Sequence, residues 1–265
     1  MKVRATFSTD SVEVEAFADD ANFLDEPKTA AAANALYKHL YTLRIGGALN
    51  DTKSGAMSFG VTENDARAAG LCPDIPWATA TLPDGTSATG GIVLYGAPIG
   101  DHEFVSPFLT AAVNETAAIL KRMSHMEKRQ HKLILLRMSL CKKLQHIQRL
   151  VPTHDHLDIL QRFDTLIMMA VEDLLLGKGT FTDLAATLTN MPAGLGGLGI
   201  ESAEARADAC YYSAYTSAFQ RLTSLTPQWA EDIATQGRDI QPIDAMFRAA
   251  GRLNVTPRRP ACLNS

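Results

Sequence analysis

Apolar and polar residues alternate at the start of the chain, whereas apolar residues recur every three to four positions through most of the remainder. Residues 3–8 and 12–17 are short β-rich runs, and the polar turn residues 9–11 separate them. A third apolar run, 21–24, can return beside the second. The pattern predicts an antiparallel hairpin close to the N-terminus.

The pattern becomes helical between residues 28 and 45. Leu36, Leu40 and Leu43 recur at helical spacing, and Gly46-Gly47 marks the end of the segment. Residues 48–100 look irregular and β-rich, with several Pro and Gly turn signals around a short apolar strand at 92–95. We therefore expect residues 1–100 to mix strands with one helix.

Every long periodic segment after Gly100 is helical. Ser106-Pro107 has the form of an N-cap followed by proline at the first helical position. Further helices are predicted at 130–150, 155–176 and 201–222, and residues 183–190 also look helical. The predicted fold class is α+β, with a mixed portion at 1–100, a helical region at 101–225 and a helical or irregular tail at 226–265.

Composition agrees with a globular protein, because 46% of the 265 residues are hydrophobic and 20% are charged. No apolar run reaches the roughly 18 to 20 residues that span a bilayer, and residues 1–6 lack the apolar stretch of a signal peptide. The four cysteines form no CxxC pair, so we expect neither a zinc site nor a disulfide framework. We expect an intracellular protein without a membrane partner, in the nucleus or the cytoplasm.

Positive charge is concentrated in one segment. Residues 121–149 hold nine Lys and Arg against one acid, Glu127, and so carry a formal charge of +8, whereas the whole chain carries −4. Such a segment can follow a phosphate backbone. The alternative is a solvated helix face that acidic residues elsewhere in the fold neutralise.

Two adjacent carboxylates, Asp19 and Asp20, interrupt the apolar β runs of the predicted hairpin. Carboxylate oxygens are hard ligands that suit Mg²⁺, which binds through one or two carboxylates together with substrate phosphates. The alternative is an ordinary acidic hairpin turn.

The segment Phe17–Asp20, which reads Phe-Ala-Asp-Asp, resembles the metal-binding box of reverse transcriptases, in particular those of non-LTR retrotransposons. Three further segments follow in the family's order. Residues 47–54 look like the next palm motif, in which a lysine, here Lys53, assists nucleotide addition. Residues 93–100 look like the primer-grip hairpin, although Tyr95 separates Leu94 from Gly96 where the family reads Leu-Gly directly. Residues 191–200 resemble the Pro-then-GGLG segment beyond the palm.

The resemblance implies a fragment of an RNA-directed DNA polymerase. Residues 1–100 would be the C-terminal part of the palm with the primer-grip-like hairpin, and 101–225 a thumb-like region. Asp19 and Asp20 would bind catalytic Mg²⁺, and Lys53 would complete the catalytic set. The partners would be an RNA template and a DNA primer, with dNTP in the complete enzyme. The residues expected to contact nucleic acid are Leu94, Gly96, Lys121, Arg122, Lys128, Arg129, Lys132, Lys142 and Lys143.

The chain departs from the family at its start. Only 18 residues precede Asp19, whereas the family places an earlier palm strand with another metal-binding aspartate, and the fingers, before this box. We therefore expect this chain to be inactive by itself. Two other functions remain open: a non-catalytic nucleic-acid-binding remnant or domesticated module, and a helical scaffold protein.

Two further motifs have simpler explanations than binding sites. Residues 194–199 satisfy G-x-G-x-x-G, but a predicted helix precedes them and no acidic residue follows about 20 positions on, which argues against a dinucleotide site. His154 and His156 flank Asp155 just after Pro152, where Asp155 is expected to cap a helix.

Overall fold

The computed structural model describes residues 13–17, 20–24, 26–48, 54–58, 60–175, 182–225 and 241–255. The chain divides into two compact units, one formed by residues 1–81 and 87–92 and the other by 82–86 and 93–265. Within the described residues, the first contains two hairpins and two α-helices, and the second is mainly helical. The α+β class predicted from the sequence is confirmed.

The first unit contains an N-terminal hairpin, two helices and a second small hairpin. Its elements are β1 Glu13–Phe17, β2 Asp20–Leu24, α1 Pro27–Ile45, α2 Glu63–Ala68, β3 Thr79–Thr81 and β4 Ser87–Thr89. Strands β1 and β2 pair antiparallel, with Glu13 opposite Leu24 and Phe17 opposite Asp20. The predicted return of residues 21–24 beside residues 12–17 is therefore confirmed, with strands at 13–17 and 20–24, whereas the predicted strand at 3–8 lies outside the described residues.

Helix α1 confirms the prediction for residues 28–45. It ends at Gly46, whose φ of 73° is the left-handed conformation that glycine adopts easily, and whose N–H donates to the Thr42 carbonyl at 3.0 Å. The Phe23 and Tyr37 rings meet edge to face at 5.6 Å. This contact attaches β2 to α1. The short helix α2 lies in the region expected to be irregular.

Besides residues 82–86, the second unit contains the chain from within strand β5 Gly91–Leu94 onward. Its later elements are β6 Ala97–Gly100, α3 His102–Ser124, α4 Arg129–Met138, α5 Gln145–Leu150, α6 Leu157–Leu175, α7 Asp183–Asn190, α8 Ala203–Leu225 and α9 Gln241–Arg252. Short 3₁₀ turns at Leu140–Lys142, Thr153–His156 and Ala193–Leu195 connect some of them. Helix α3 packs on α6, α5 on α8, and α8 on α9. The fully buried core side chains include Phe104, Leu109, Leu136, Leu144, Leu160 and Phe163.

The predicted start of α3 at Ser106-Pro107 is wrong. The helix begins at His102, because the Asp101 carboxylate accepts a hydrogen bond from the Phe104 N–H at 2.8 Å and so caps the first turn. Pro107 therefore lies inside the helix. Asp101, which precedes Ser106 in the sequence, therefore determines where α3 begins.

The helix predicted at 130–150 is also wrong as one continuous element. It is divided into α4, the 3₁₀ turn Leu140–Lys142 and α5. Beside the break, Arg206 Nη2 donates to the carbonyl of Cys141 at 2.6 Å. The buried guanidinium of Arg206, on α8, therefore donates a hydrogen bond to a backbone carbonyl at the position where the regular helix ends.

Candidate nucleic-acid interface

The basic segment 121–149 lies at the end of α3, along α4 and through α5. Most of its cations are exposed to solvent. The exposed members are Lys121, Arg122, Lys128, Arg129, Arg137, Lys142 and Arg149. Lys132 and Lys143 are half-buried: Lys132 Nζ donates to the Ser124 carbonyl at 2.8 Å, and Lys143 Nζ lies 2.7 Å from Glu115 Oε2.

Ion pairs within the described residues involve few of the cations of this segment. In the part of the chain that the structure describes, Lys143 is the only one of the nine cations that forms an ion pair. The exposed cations are accessible to solvent, and their charge attracts anions.

Arg137 is a candidate contact residue that sequence reasoning did not select. It lies in the last turn of α4, and a Cβ placed on Gly199 would come within 3.4 Å of its Nε. The guanidinium group of Arg137 therefore lies beside Gly199, in the glycine-rich segment 194–199. The signal in the sequence is that Arg137 is one of the nine cations of residues 121–149.

The segment that resembles a primer grip is a hairpin. Strands β5 and β6 pair across Tyr95 and Gly96, which have φ values of 50° and 77°. A two-residue hairpin turn with positive φ at both positions matches the twist of the strands. The extra Tyr95 therefore lies in the turn, while Leu94 ends β5. His146 Nε2 lies 2.8 Å from the Tyr95 carbonyl and attaches this hairpin to α5.

The segment Met191–Ile200 folds back on the C-terminal end of α7 through backbone hydrogen bonds. The Leu198 N–H donates to the Leu188 carbonyl at 3.0 Å, and the Ile200 N–H donates to the Thr189 carbonyl at 3.1 Å. These bonds satisfy carbonyls that the helix end leaves without partners. The predicted helix at 183–190 is confirmed, and no strand precedes G-x-G-x-x-G, in agreement with the argument against a dinucleotide site.

The three catalytic candidates lie at the edge of what the structure describes. Asp19 and Lys53 lie outside the described residues. Asp20 is described in its backbone alone, as the first residue of β2, paired with Phe17. Their roles stay predictions from the resemblance.

The His154-Asp155-His156 segment forms a structural junction. The expected N-cap role of Asp155 is wrong, because Asp155 belongs to the 3₁₀ turn and its Oδ1 lies 3.5 Å from Arg248 Nη1 on α9. His156 is buried, its Nδ1 lies 2.9 Å from Ser106 Oγ, and its ring stacks on His102 with centroids 4.5 Å apart.

Burial makes the stability of this junction depend on pH. Desolvation lowers the pKa of His156, and the charge of His102 lowers it further, whereas Asp155 and Asp158 act in the opposite direction. Because the folded pKa lies below the unfolded value of about 6.5, the contribution is complete above that pH and is lost as the pH falls towards the folded pKa. We expect the free energy of unfolding to decrease below about pH 6.5.

Urea unfolding at a series of pH values measures this effect. His156→Gln should remove part of the decrease, because the glutamine does not titrate. His131→Gln is the matched control, since His131 is exposed on α4. The same pH dependence in His156→Gln and in the unaltered chain would contradict the assignment.

The described residues contain no group of three or more His, Cys, Asp or Glu side chains that could hold a metal ion. Among the described helices, none is long and apolar enough to cross a membrane. Comparisons with known protein families, curated proteins and solved structures give no match for this chain.

Proposed function

We propose that this chain is the C-terminal portion of a reverse transcriptase of non-LTR retrotransposon type. Its first unit would contribute the Asp19-Asp20 pair, and its second would hold an RNA template and a DNA primer. The β1–β2 hairpin carries the proposal, because strands ending at Phe17 and beginning at Asp20 agree with the strand arrangement expected around the Phe-Ala-Asp-Asp box.

The chemistry of the Asp19-Asp20 pair would suit magnesium. Asp19 and Asp20 would hold the ion, since both offer hard carboxylate oxygens. When bound, Mg²⁺ would neutralise charge on the triphosphate of the incoming nucleotide. This part of the function belongs to a complete enzyme that also supplies the remaining palm and fingers.

The exposed cations of 121–149 support the binding part of the proposal. Lysine and arginine contacts to phosphates position a protein on nucleic acid without reading its sequence. The exposed Lys121, Lys128, Arg129 and Lys142 suit this role, whereas Lys143 is already engaged by Glu115. We therefore expect weak binding of primer–template duplex that varies little with base sequence.

Salt dependence tests this binding. About four phosphate contacts give a slope of log K against log salt of about −3 to −4, because each neutralised phosphate releases counterions and adds roughly 0.7 to 0.9 to its magnitude. Lys121, Lys128, Arg129 and Lys142 are replaced together by Gln. The magnitude of the slope should then fall by roughly 0.7 to 0.9 for each phosphate that is no longer neutralised. Fluorescence anisotropy with a labelled primer–template, titrated at several salt concentrations, provides the measurement.

The matched control is Lys143→Gln, which removes a cation that is paired within the fold. It should leave the slope nearly unchanged. An unchanged slope in the quadruple variant, or no binding by the unaltered chain at low salt, would reject this interface and favour the helical scaffold. A further outcome is that the binding shows the expected salt dependence while the gene that encodes this chain contains no further palm motifs. That combination would favour a non-catalytic binding module instead.

A further inference from the structure

Helix α4 exposes an apolar face to solvent. Ile134, Leu135 and Met138 retain 57%, 42% and 66% of their accessible surface. Helical spacing places these three residues within about 100° of one another around the helix, on the side away from the fully buried Leu136. The face therefore points away from the described core of its own chain. We call these three residues the α4 apolar face.

Cations border the α4 apolar face on both sides. Arg137 follows Ile134 by three residues, which places it about 60° around the helix on one side. Lys128 precedes Leu135 by seven residues, close to two full turns, and so borders the other side. Both cations are exposed. The outer side of α4 is thus basic and amphipathic, which is typical of helices that dock in an apolar groove with acidic edges.

A groove of that chemistry lies on the same unit, between α6, α7 and the start of α8, with a volume of about 440 Å³. Two methionines and an alanine give it an apolar lining, and three carboxylates give it negative charge. The described residues that supply these side chains are Met168, Met169, Ala186, Asp164, Glu172 and Glu204. Among the described lining residues, none is a cation. Methionine side chains adapt to the shape of an apolar partner.

Acids lie at both ends of the groove. The Glu204 N–H donates to an Asp164 carboxylate oxygen at 3.1 Å, so these two residues lie together at one end. Glu172 follows Asp164 by eight residues on α6, about 12 Å along the helix. Lys128 and Arg137 are nine residues apart, about 14 Å along α4. The spacing of the cations therefore matches the spacing of the acids.

We propose that this groove receives α4 of a second copy of the chain, an inference that does not rest on the proposed function. The α6 wall of the groove runs from Gln161 to Glu172, about 16 Å, and the ten residues of α4 extend about 15 Å. The α4 apolar face lies against Met168 and Met169, with the bordering cations near the acids at the two ends. The contact joins two different surfaces, so each molecule offers one helix and one groove.

Sedimentation of the full chain, freed of nucleic acid and measured at several concentrations, tests the inference. A single helix in a groove buries less surface than a standard interface, so we expect weak self-association, with Kd on the order of 100 μM. The association should weaken as added salt screens the charges. A chain that stays monomeric up to about 1 mM, a result that needs no variant, would overturn the inference.

Two variants each remove one side of the contact. Ile134→Glu with Met138→Glu places charge on the α4 apolar face, and Met169→Lys places a cation in the groove at a position that is 59% exposed. Each should raise Kd at least about tenfold, because apolar surface is no longer removed from water in the contact. Unchanged self-association in either variant would contradict the proposed contact.

Mixing the two variants is the sharper test. The groove variant keeps an intact α4 and the helix variant keeps an intact groove, so an equal mixture should form a one-to-one complex that neither forms alone. A mixture that stays monomeric would overturn the inference. The control is Leu184→Glu with Leu188→Glu, two exposed residues four apart on α7 that lie outside the lining of the groove. This variant should self-associate like the unaltered chain, and loss of association in it would also count against the groove.

Discussion

Gly197→Ala should destabilise the second unit by about 3 kcal/mol, because the added methyl group has no space. A Cβ at this position would lie 2.1 Å from the Met191 carbonyl oxygen and 2.5 Å from its carbon. Both atoms belong to the backbone of the turn that follows α7, so no side-chain rotation relieves the overlap. The Gly199 N–H also donates to that same carbonyl at 2.9 Å, and displacing Met191 weakens this bond.

Gly194→Ala is the matched control. It changes a glycine of the same segment, but a Cβ there meets no atom within 4 Å. We expect it to change the free energy of unfolding by less than about 0.5 kcal/mol. Thermal unfolding followed by circular dichroism separates the two, since 3 kcal/mol corresponds to roughly 6 to 12 °C for a unit of this size. Equal midpoints for the two variants would show that the segment shifts freely and is not fixed by its backbone bonds.

The glycine-rich segment shows what local sequence can predict. The argument against a dinucleotide site at residues 194–199 depends on a predicted helix directly before them. Helix α7 at Asp183–Asn190 confirms that prediction. Helical periodicity likewise identified α1 and most of α6, because apolar residues at a spacing of three to four define a buried stripe in any context. The spacing cannot show that Gly197 is required, since that depends on how closely the chain returns to Met191.

Contacts between distant residues account for the main errors. The apolar spacing through 130–150 continues without a gap, so nothing local predicts the turn at Leu140–Lys142. At this turn the Cys141 carbonyl accepts a hydrogen bond from Arg206, which lies more than 60 residues away in the sequence. In the same way, Lys143 looks like its neighbours in the sequence, and only its approach to Glu115 distinguishes it from the cations that remain free to bind phosphate.

For the candidate site, the sequence carried most of the information. The order of the palm-like motifs identifies Asp19, Asp20 and Lys53 as candidates, and the structure adds the β1–β2 pairing around the first motif. The exposure of Ile134 and Met138 on α4 could not be predicted this way. Residues 133–136 are four consecutive apolar residues, and deciding which of them are buried requires the position of α4 against its neighbours.

The buried network around Gln148 leads to the second large effect. Gln148 is fully buried, and its Nε2 donates to the Ala203 carbonyl at 2.7 Å. Its Oε1 accepts from Arg206 Nε at 2.9 Å. Arg206 is itself buried, and its nearest acid in the described residues, Glu201, lies 3.7 Å from Nη1. Gln148 is therefore a main partner of a buried positive charge.

Gln148→Met keeps the volume of the side chain but removes this partner. We expect it to lower the free energy of unfolding by about 3 kcal/mol, because a buried charge that loses a hydrogen bond is left poorly solvated. Gln161→Met provides the comparison: Gln161 also hydrogen-bonds a side chain, Glu204, but it is exposed. That change should stay within about 0.5 kcal/mol.

Removing the charge as well should restore part of the stability. In the double variant Gln148→Met, Arg206→Met, no guanidinium remains to be solvated, so its destabilisation should be smaller than the sum of the two single variants by about 1 to 2 kcal/mol. Urea unfolding of the four proteins gives this coupling directly. Strictly additive effects would mean that Gln148 acts through the Ala203 carbonyl and the packing of α5 on α8, and not through the charge of Arg206.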